Sequence, residues 1–145
     1  MLILDANLLI YAYHAQQPQH PLARAWLEQT FAAAQPIGLP WQTLLAFLRI
    51  TTHARIFERP LSMARAQQIV ASWLEHPRVH VVEPGAGYFA VLANMLTAGQ
   101  VRGPLVTDAA LAALAINSGA TLCTTDHDFA RFPKLKWINP LTPDG

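Results

Sequence analysis

Short apolar runs that open onto carboxylates set the terms for this chain. Leu2-Ile3-Leu4 is too brief for a helix and carries no alternation, the pattern of a strand buried on both faces of a parallel sheet, and it delivers Asp5 at its carboxyl end. Thr121 to Thr124 repeats the arrangement and opens onto Asp126 and Asp128. Between such runs lie stretches of helical length. Strands that alternate with helices imply right-handed βαβ crossovers, so the fold class expected is α/β, a three-layer α/β/α sandwich around a central parallel sheet of four to five strands. A chain of 145 residues fits one domain with a substantial core, and it shows no internal repeat or linker.

Taken in order, the first helix ends in the loop HAQQPQH, and Pro21 takes the favoured first-turn position of a helix running toward Ala34. Ile37 to Pro40 reads as a second strand or a tight connector, and Trp41 to Thr52 as a helix with Leu44, Leu45, Phe47 and Leu48 on its stripe. Ser62 is the N-cap expected for a helix through Glu75, and Val79 to Val82 is β-branched enough for a strand. A helix over Tyr88 to Thr97 stops at Gly99, and the segment GPLVTDAALAALAINSGA brings Asp108 to the start of a helix that ends at Gly119. Lys136 to Asn139 supplies a last short strand.

Composition narrows the function. Only 13% of residues are charged against a typical share of about 25%, so the place of each ionisable group carries information. The net charge of +1 excludes a global basic field, and any nucleic-acid contact has to come from a local patch. Apolar runs are broken well before about 18 residues, which argues against a membrane span. No basic segment or cleavage signal marks the N-terminus as a leader. The one cysteine, Cys123, sits in an apolar run and reads as a small buried hydrophobe. These features point to the cytoplasm, with no membrane partner.

Of nine acids, Asp5, Asp108, Asp126 and Asp128 stand where apolar runs break. In open α/β sheets the carboxyl edge is where ligands bind, although Asp5 or Asn7 read alone serves equally well as a helix cap. If the strands before Asp5 and Asp126 are neighbours, their carboxylates share one edge and Asp108 faces them from a helix start. Three ionised carboxylates in one cleft repel one another. Mg²⁺ or Mn²⁺ resolves that conflict, since hard cations take oxygen ligands and the chain has no Cys/His cluster at zinc spacing. Such ions activate water and stabilise charge on phosphate oxygens, which makes phosphodiester hydrolysis the expected reaction class. Asn7, Thr107 and Thr125 are candidates to support the acids, with local capping the commoner role for their residue types. Asp128 either approaches the metal or caps the turn toward Phe129.

The segments LILDANLLIYAYH, LPWQTLLAFLRITTHARIF, GPLVTDAALAALA and TLCTTDHDFARFPKLKWINPL together resemble a PIN-domain ribonuclease, and more narrowly the VapC toxins of bacterial toxin–antitoxin pairs. The resemblance spans nearly the whole chain. It implies a Mg²⁺- or Mn²⁺-dependent endoribonuclease, held in check by a small VapB-type antitoxin and often a homodimer. Its first, third and fourth acids map to Asp5, Asp108 and Asp126, with Asp128 an alternative for the fourth, and its small polar residue maps to Asn7. The second acid, a Glu three residues before an Arg, is absent: that position is Ala46, ahead of Arg49.

Arg49, Arg55 and Arg131 are the principal candidates to meet RNA phosphates, with Arg59, Lys134 and Lys136 as further cations and His53 or His127 nearby; each is commoner as a solvated surface residue. Tyr11, Tyr13, Trp26, Ile69 and Trp73 belong to the core or to a groove for an antitoxin helix or a second protomer. Two other classes stay in play. One is an RNA-binding module without turnover, motivated by Ala46. The other is an aspartyl phosphatase, faintly suggested by Asp5 and Asn7 but lacking the second aspartate that would serve as general acid.

Overall fold

The computed structural model describes residues 1–142. Five parallel strands form one sheet: β1 (Leu2–Leu4), β2 (Ile37–Gly38), β3 (Val79–His80), β4 (Thr121–Cys123) and β5 (Trp137–Ile138), in the order β3-β2-β1-β4-β5. Six helices connect them: α1 (Ala6–Tyr13), α2 (His20–Ala32), α3 (Trp41–Thr51), α4 (Met63–Glu75), α5 (Tyr88–Ala98) and α6 (Leu105–Asn117). A 3₁₀ turn, His127–Arg131, follows β4. The expected three-layer α/β/α sandwich is therefore present, with a sheet of five strands.

Side chains alternate across each strand, so β1 and β4 feed two separate cores. Leu4 and Cys123 face α1 to α4, where Leu8, Leu9, Phe47 and Trp73 pack. Ile3 and Leu122 face the other way, onto Met95, Leu111, Ala112 and Phe129 of α5, α6 and the 3₁₀ turn. Tyr13, Phe47 and Trp73 meet edge to face, with ring centroids 4.7 to 5.9 Å apart, which places these aromatics in the first core as anticipated. The run of small side chains on α6 lets that helix lie close to the sheet, and its Ala109, Ala112, Ala113 and Ala115 are buried.

Local chemistry sets the boundaries. Leu2 N–H donates to Pro36 O, and the same parallel register puts residue 40 opposite the carbonyl of Leu4. Pro40 has no N–H to give, and the Thr43 hydroxyl donates to Leu4 O instead, at 2.9 Å. Pro40 also opens α3, so β2 stops and Val81 and Val82 have no strand left to pair with; β3 ends at His80 and not at the expected Val82. Similarly, α2 stops at Ala32, short of Ala34, and Leu105 to Thr107 form the first turn of α6 and not an approach to it. Ser62 caps α4 as expected, its Oγ accepting from Arg65 N–H. At Gly38 a Cβ would lie 2.6 Å from Val82 Cγ2 and 2.9 Å from Ile3 Cγ1, so only glycine lets β2 sit this close to its neighbours. Among the described residues no helix is long and apolar enough to cross a membrane.

Candidate functional site

The strand order reverses direction at β1. The chain leaves β1 toward β2 and β3, then returns to place β4 on the other side, so a crevice opens at the carboxyl ends of β1 and β4. A cavity of about 720 Å³ occupies that position, walled by Asp5 and Asn7 after β1, Gln42, Ala46 and Arg49 of α3, Thr107 and Asp108 of α6, and Asp126 after β4. Asp5, Asp108 and Asp126 are thus brought together as the sequence predicted.

The Thr124 side chain holds two of them. It is fully buried at the end of β4. Its hydroxyl donates to Asp5 Oδ2 at 2.7 Å and accepts from Asp126 N–H at 3.1 Å and from Asn7 Nδ2 at 3.4 Å. A hydroxyl has one proton and two lone pairs; with both lone pairs engaged, the proton is directed at Asp5. The other Asp5 oxygen, Oδ1, accepts from Ala6 N–H at 2.8 Å, so Asp5 is both the N-cap of α1 and a wall of the cleft. The hydroxyl expected from Thr125 is supplied here by Thr124. Strand alternation from Leu122 and Cys123 was the available signal, but a polar residue in either position fits an apolar run ending in Thr-Thr.

The neighbouring candidates divide. Asp126 accepts from Asp128 N–H at 2.9 Å, so Asp126 caps the 3₁₀ turn, the role entertained for Asp128, whose own carboxylate is exposed and outside the cavity wall. Thr107 spends its hydroxyl on Pro104 O at 3.0 Å, the local capping role. Thr125 makes no side-chain hydrogen bond among the described residues and lines no part of the cleft. Arg49 lines the cleft. Arg131 acts on Asp108 electrostatically and is anchored through Nη1 to Gly99 O at 3.2 Å. Arg55 stands apart from this group: it is exposed on the loop after α3 and is not among the residues that wall the cavity. Gln42, which carries no charge to mark it, was missed; its Nε2 donates to Thr107 O at 2.7 Å and ties α3 to the first turn of α6.

Burial is the first cause of the electrostatics here. It raises the Asp5 carboxyl above its ordinary range against the opposing hydrogen bonds from Thr124 and Ala6, and Asp126 adds to the rise. Asp108 is pushed up to about 6, by burial first and then by Asp126, Asp5 and Asp128, with Arg131 opposing. No cation stands within ion-pair distance of these acids; the one ion pair among the described residues is Arg24 with Glu28 on α2, at 3.2 Å. Asn7 Oδ1, in the cleft wall, is buried without a hydrogen-bond partner. The donor set is therefore all oxygen, has no ion-paired cation and holds one orphaned acceptor, which suits a hard cation. The acids do not close into a cage by themselves: among the described residues no three His, Cys, Asp or Glu side chains are grouped tightly enough to hold a metal ion. A magnesium-type ion that keeps several of its waters is the kind of ion such an open set fits. Ala46 lies in the same wall, so the acid missing from the sequence pattern is missing from the cleft itself.

A parallel five-stranded sheet with aspartates converging at its switch point defines a class of protein, and the PIN domain model matches residues 2–135: the chain belongs to the PIN-domain family. Within that family it stands with VapC-type proteins. It is 39% identical over 140 residues to ribonuclease VapC37 of Mycobacterium tuberculosis, covering 97% of each chain. To ribonuclease VapC33 of the same organism it is 40% identical over 141 residues, covering 97% of this chain and 99% of that one. Among solved structures it is similar to VapBC2 from Rickettsia felis bound to a promoter DNA fragment, with a TM-score of 0.69 at 19% identity over 95% of this chain and 97% of that one. VapBC-1 from nontypeable Haemophilus influenzae is similar too, with a TM-score of 0.68 at 18% identity over 97% and 98%. At those identities the structural likeness speaks for the fold.

Proposed function

We propose that this chain is a Mg²⁺- or Mn²⁺-dependent endoribonuclease, the toxin of a VapBC-type pair, hydrolysing RNA phosphodiester bonds in the cleft at the ends of β1 and β4. The observation that carries the reading is the convergence of Asp5, Asp108 and Asp126 in one cavity without a paired cation. Asp5, Asp108 and Asp126 would hold the ion, some of them through its waters, with Asn7 Oδ1 an additional oxygen. When bound, the ion activates water and stabilises charge on the phosphate oxygens. The protein's own part is orientation: Thr124 fixes Asp5 and the Asp126 backbone to each other, and Gln42 fixes the turn that carries Asp108. Arg49 in the cleft wall and Arg131 beside Asp108 supply the positive field that draws in the RNA backbone.

The partner expected is a VapB-type antitoxin. A groove of about 290 Å³ between α1, α2 and α4, lined by Tyr13, Leu27, Phe31 and Trp73, is where an antitoxin helix would lie. Like the VapC pattern it follows, the toxin would act in the cytoplasm and as a homodimer. RNA cleavage with Mg²⁺ or Mn²⁺, with and without EDTA, tests the activity. Turnover that survives the chelator, or full activity in Asp5→Ala and Asp126→Ala, would refute it. Ala46 in the cleft wall favours one other reading, an RNA-binding module without turnover; no cleavage at saturating metal, with RNA binding intact, would select that one.

A further inference from the structure

Beside the acidic cleft lies a second cavity of about 400 Å³. Gln42 belongs to the walls of both, so the two spaces are neighbours across one side chain. The wall of the second is built from flat rings and apolar groups: Pro40, Trp41, Val82, Pro84 and Tyr88. Trp41 is 47% exposed, whereas Trp73 in the core is 3% exposed, so Trp41 opens α3 with much of its surface in solvent. The opposite wall is fixed in advance. Tyr88 donates its hydroxyl to Ala110 O at 3.0 Å, and Asn117 clamps the loop after Glu83 by accepting from Gly85 N–H at 2.8 Å and donating to Ala86 O at 2.9 Å. The single charged residue in the wall is Glu83, and no Lys, Arg or His contributes.

These features exclude a phosphate and favour a flat, neutral ligand that presents N–H donors. We propose that this cavity is a nucleobase subsite that takes an unpaired guanine from the same RNA strand that crosses the acidic cleft. The proposal rests on the ribonuclease reading for its substrate class. Stacking on an aromatic face accepts any base, as single-strand binders generally do. Guanine is the base whose Watson–Crick edge carries two adjacent donors, N1–H and the 2-amino group, and a carboxylate accepts both. Trp41 would thus supply affinity and Glu83 preference, while the acids next door supply the chemistry.

The test reads binding without turnover. Fluorescence anisotropy in EDTA is measured with a short labelled oligouridylate carrying a single guanine, and with the same strand carrying inosine, or an abasic site, in its place. Wild type should favour guanine over the abasic strand by about tenfold, the size of one base–aromatic stack. Trp41→Ala should lose that factor, Trp41→Phe should keep most of it, and Glu83→Gln should abolish the guanine-over-inosine preference while leaving stacking intact. Both positions are solvent-exposed, and an unchanged melting temperature confirms that each variant folds. Equal binding of the guanine and abasic strands by wild type, or Trp41→Ala binding as wild type does, would overturn the subsite. So would Trp41→Ala losing a basic partner peptide while its RNA binding is unaltered, which would assign the slot to a protein side chain. Cleavage of the same strands with Mg²⁺ is scored separately: a wild type that binds guanine selectively but cuts nothing refutes the nuclease and not the subsite.

Discussion

Replacing Thr124 by valine keeps the shape of the side chain and removes one oxygen. Three hydrogen bonds go with it, to Asp5 Oδ2, Asp126 N–H and Asn7 Nδ2, at a position with no exposure to solvent. A buried group left without its partner costs roughly 1–3 kcal/mol, and the bond to a carboxylate sits at the upper end. Allowing for the long Asn7 contact and for some relaxation at the open cleft, the loss is about 2–4 kcal/mol at neutral pH. At about 2–4 °C per kcal/mol for a chain of this size, the melting temperature should fall by roughly 5–15 °C. The deficit has a characteristic pH dependence. The bond to Thr124 is among the influences that hold the Asp5 carboxyl down against burial, so its removal raises that carboxyl further. A carboxyl raised in the folded state destabilises the fold when ionised, so part of the loss should return as pH falls through its folded value. Thr124→Ser keeps the hydroxyl and should lose about 1 kcal/mol or less, the contribution of one methyl group. Thermal melts of the three proteins between pH 5 and pH 8 in EDTA check this. A valine variant within about 0.5 kcal/mol of wild type, or one whose deficit does not change with pH, refutes the hub assigned to Thr124.

Three further outcomes are expected. Asp108, at about 6 in the fold against an ordinary 3.8, weakens the metal-free protein above its folded value; stability should therefore rise as pH drops from neutral toward 4, and Asp108→Asn should flatten that rise in melts with EDTA. The Cys123 thiol is fully buried and pushed up to about 12, so a disulfide reagent should modify it only after denaturant is added; fast labelling of the native protein would contradict its place in the core. Ala46→Glu adds a fourth carboxylate to the cleft wall, so in EDTA it should lower the melting temperature, and in Mg²⁺ it should bind the ion about tenfold or more tightly by calorimetry. Unchanged metal affinity would place that side chain outside the ion's reach.

The layers and most strands were legible because apolar runs without alternation leave few alternatives to a parallel sheet. The three acids were legible for the same reason: a charge that ends a buried strand or starts a buried helix has few places to go. What escaped was fine register. Thr124 and Thr125 are adjacent and chemically identical, and only the pairing of Cys123 with Leu4 decides which one turns toward Asp5. Arg55 sits near Arg49 in sequence, yet the end of α3 lies between them, and of the two only Arg49 is among the residues that wall the cavity. Gln42 gave no sign at all. Its role comes from α6 passing overhead, a contact across 65 positions of sequence.

That contact has a wider consequence. Asp5 stands where β1 leaves the sheet, Ala46 and Arg49 belong to the helical layer of one core, and Asp108 to the layer of the other. No single layer owns the cleft. The spacing of its acids is therefore a gauge of how the two halves of the sandwich sit on the sheet between them, and the Gln42–Thr107 bond is the rivet that crosses from one half to the other. A slip of α6 along the sheet would carry Asp108 away from Asp5 and Asp126, and it is resisted both by that bond and by the close packing of the buried alanines of α6.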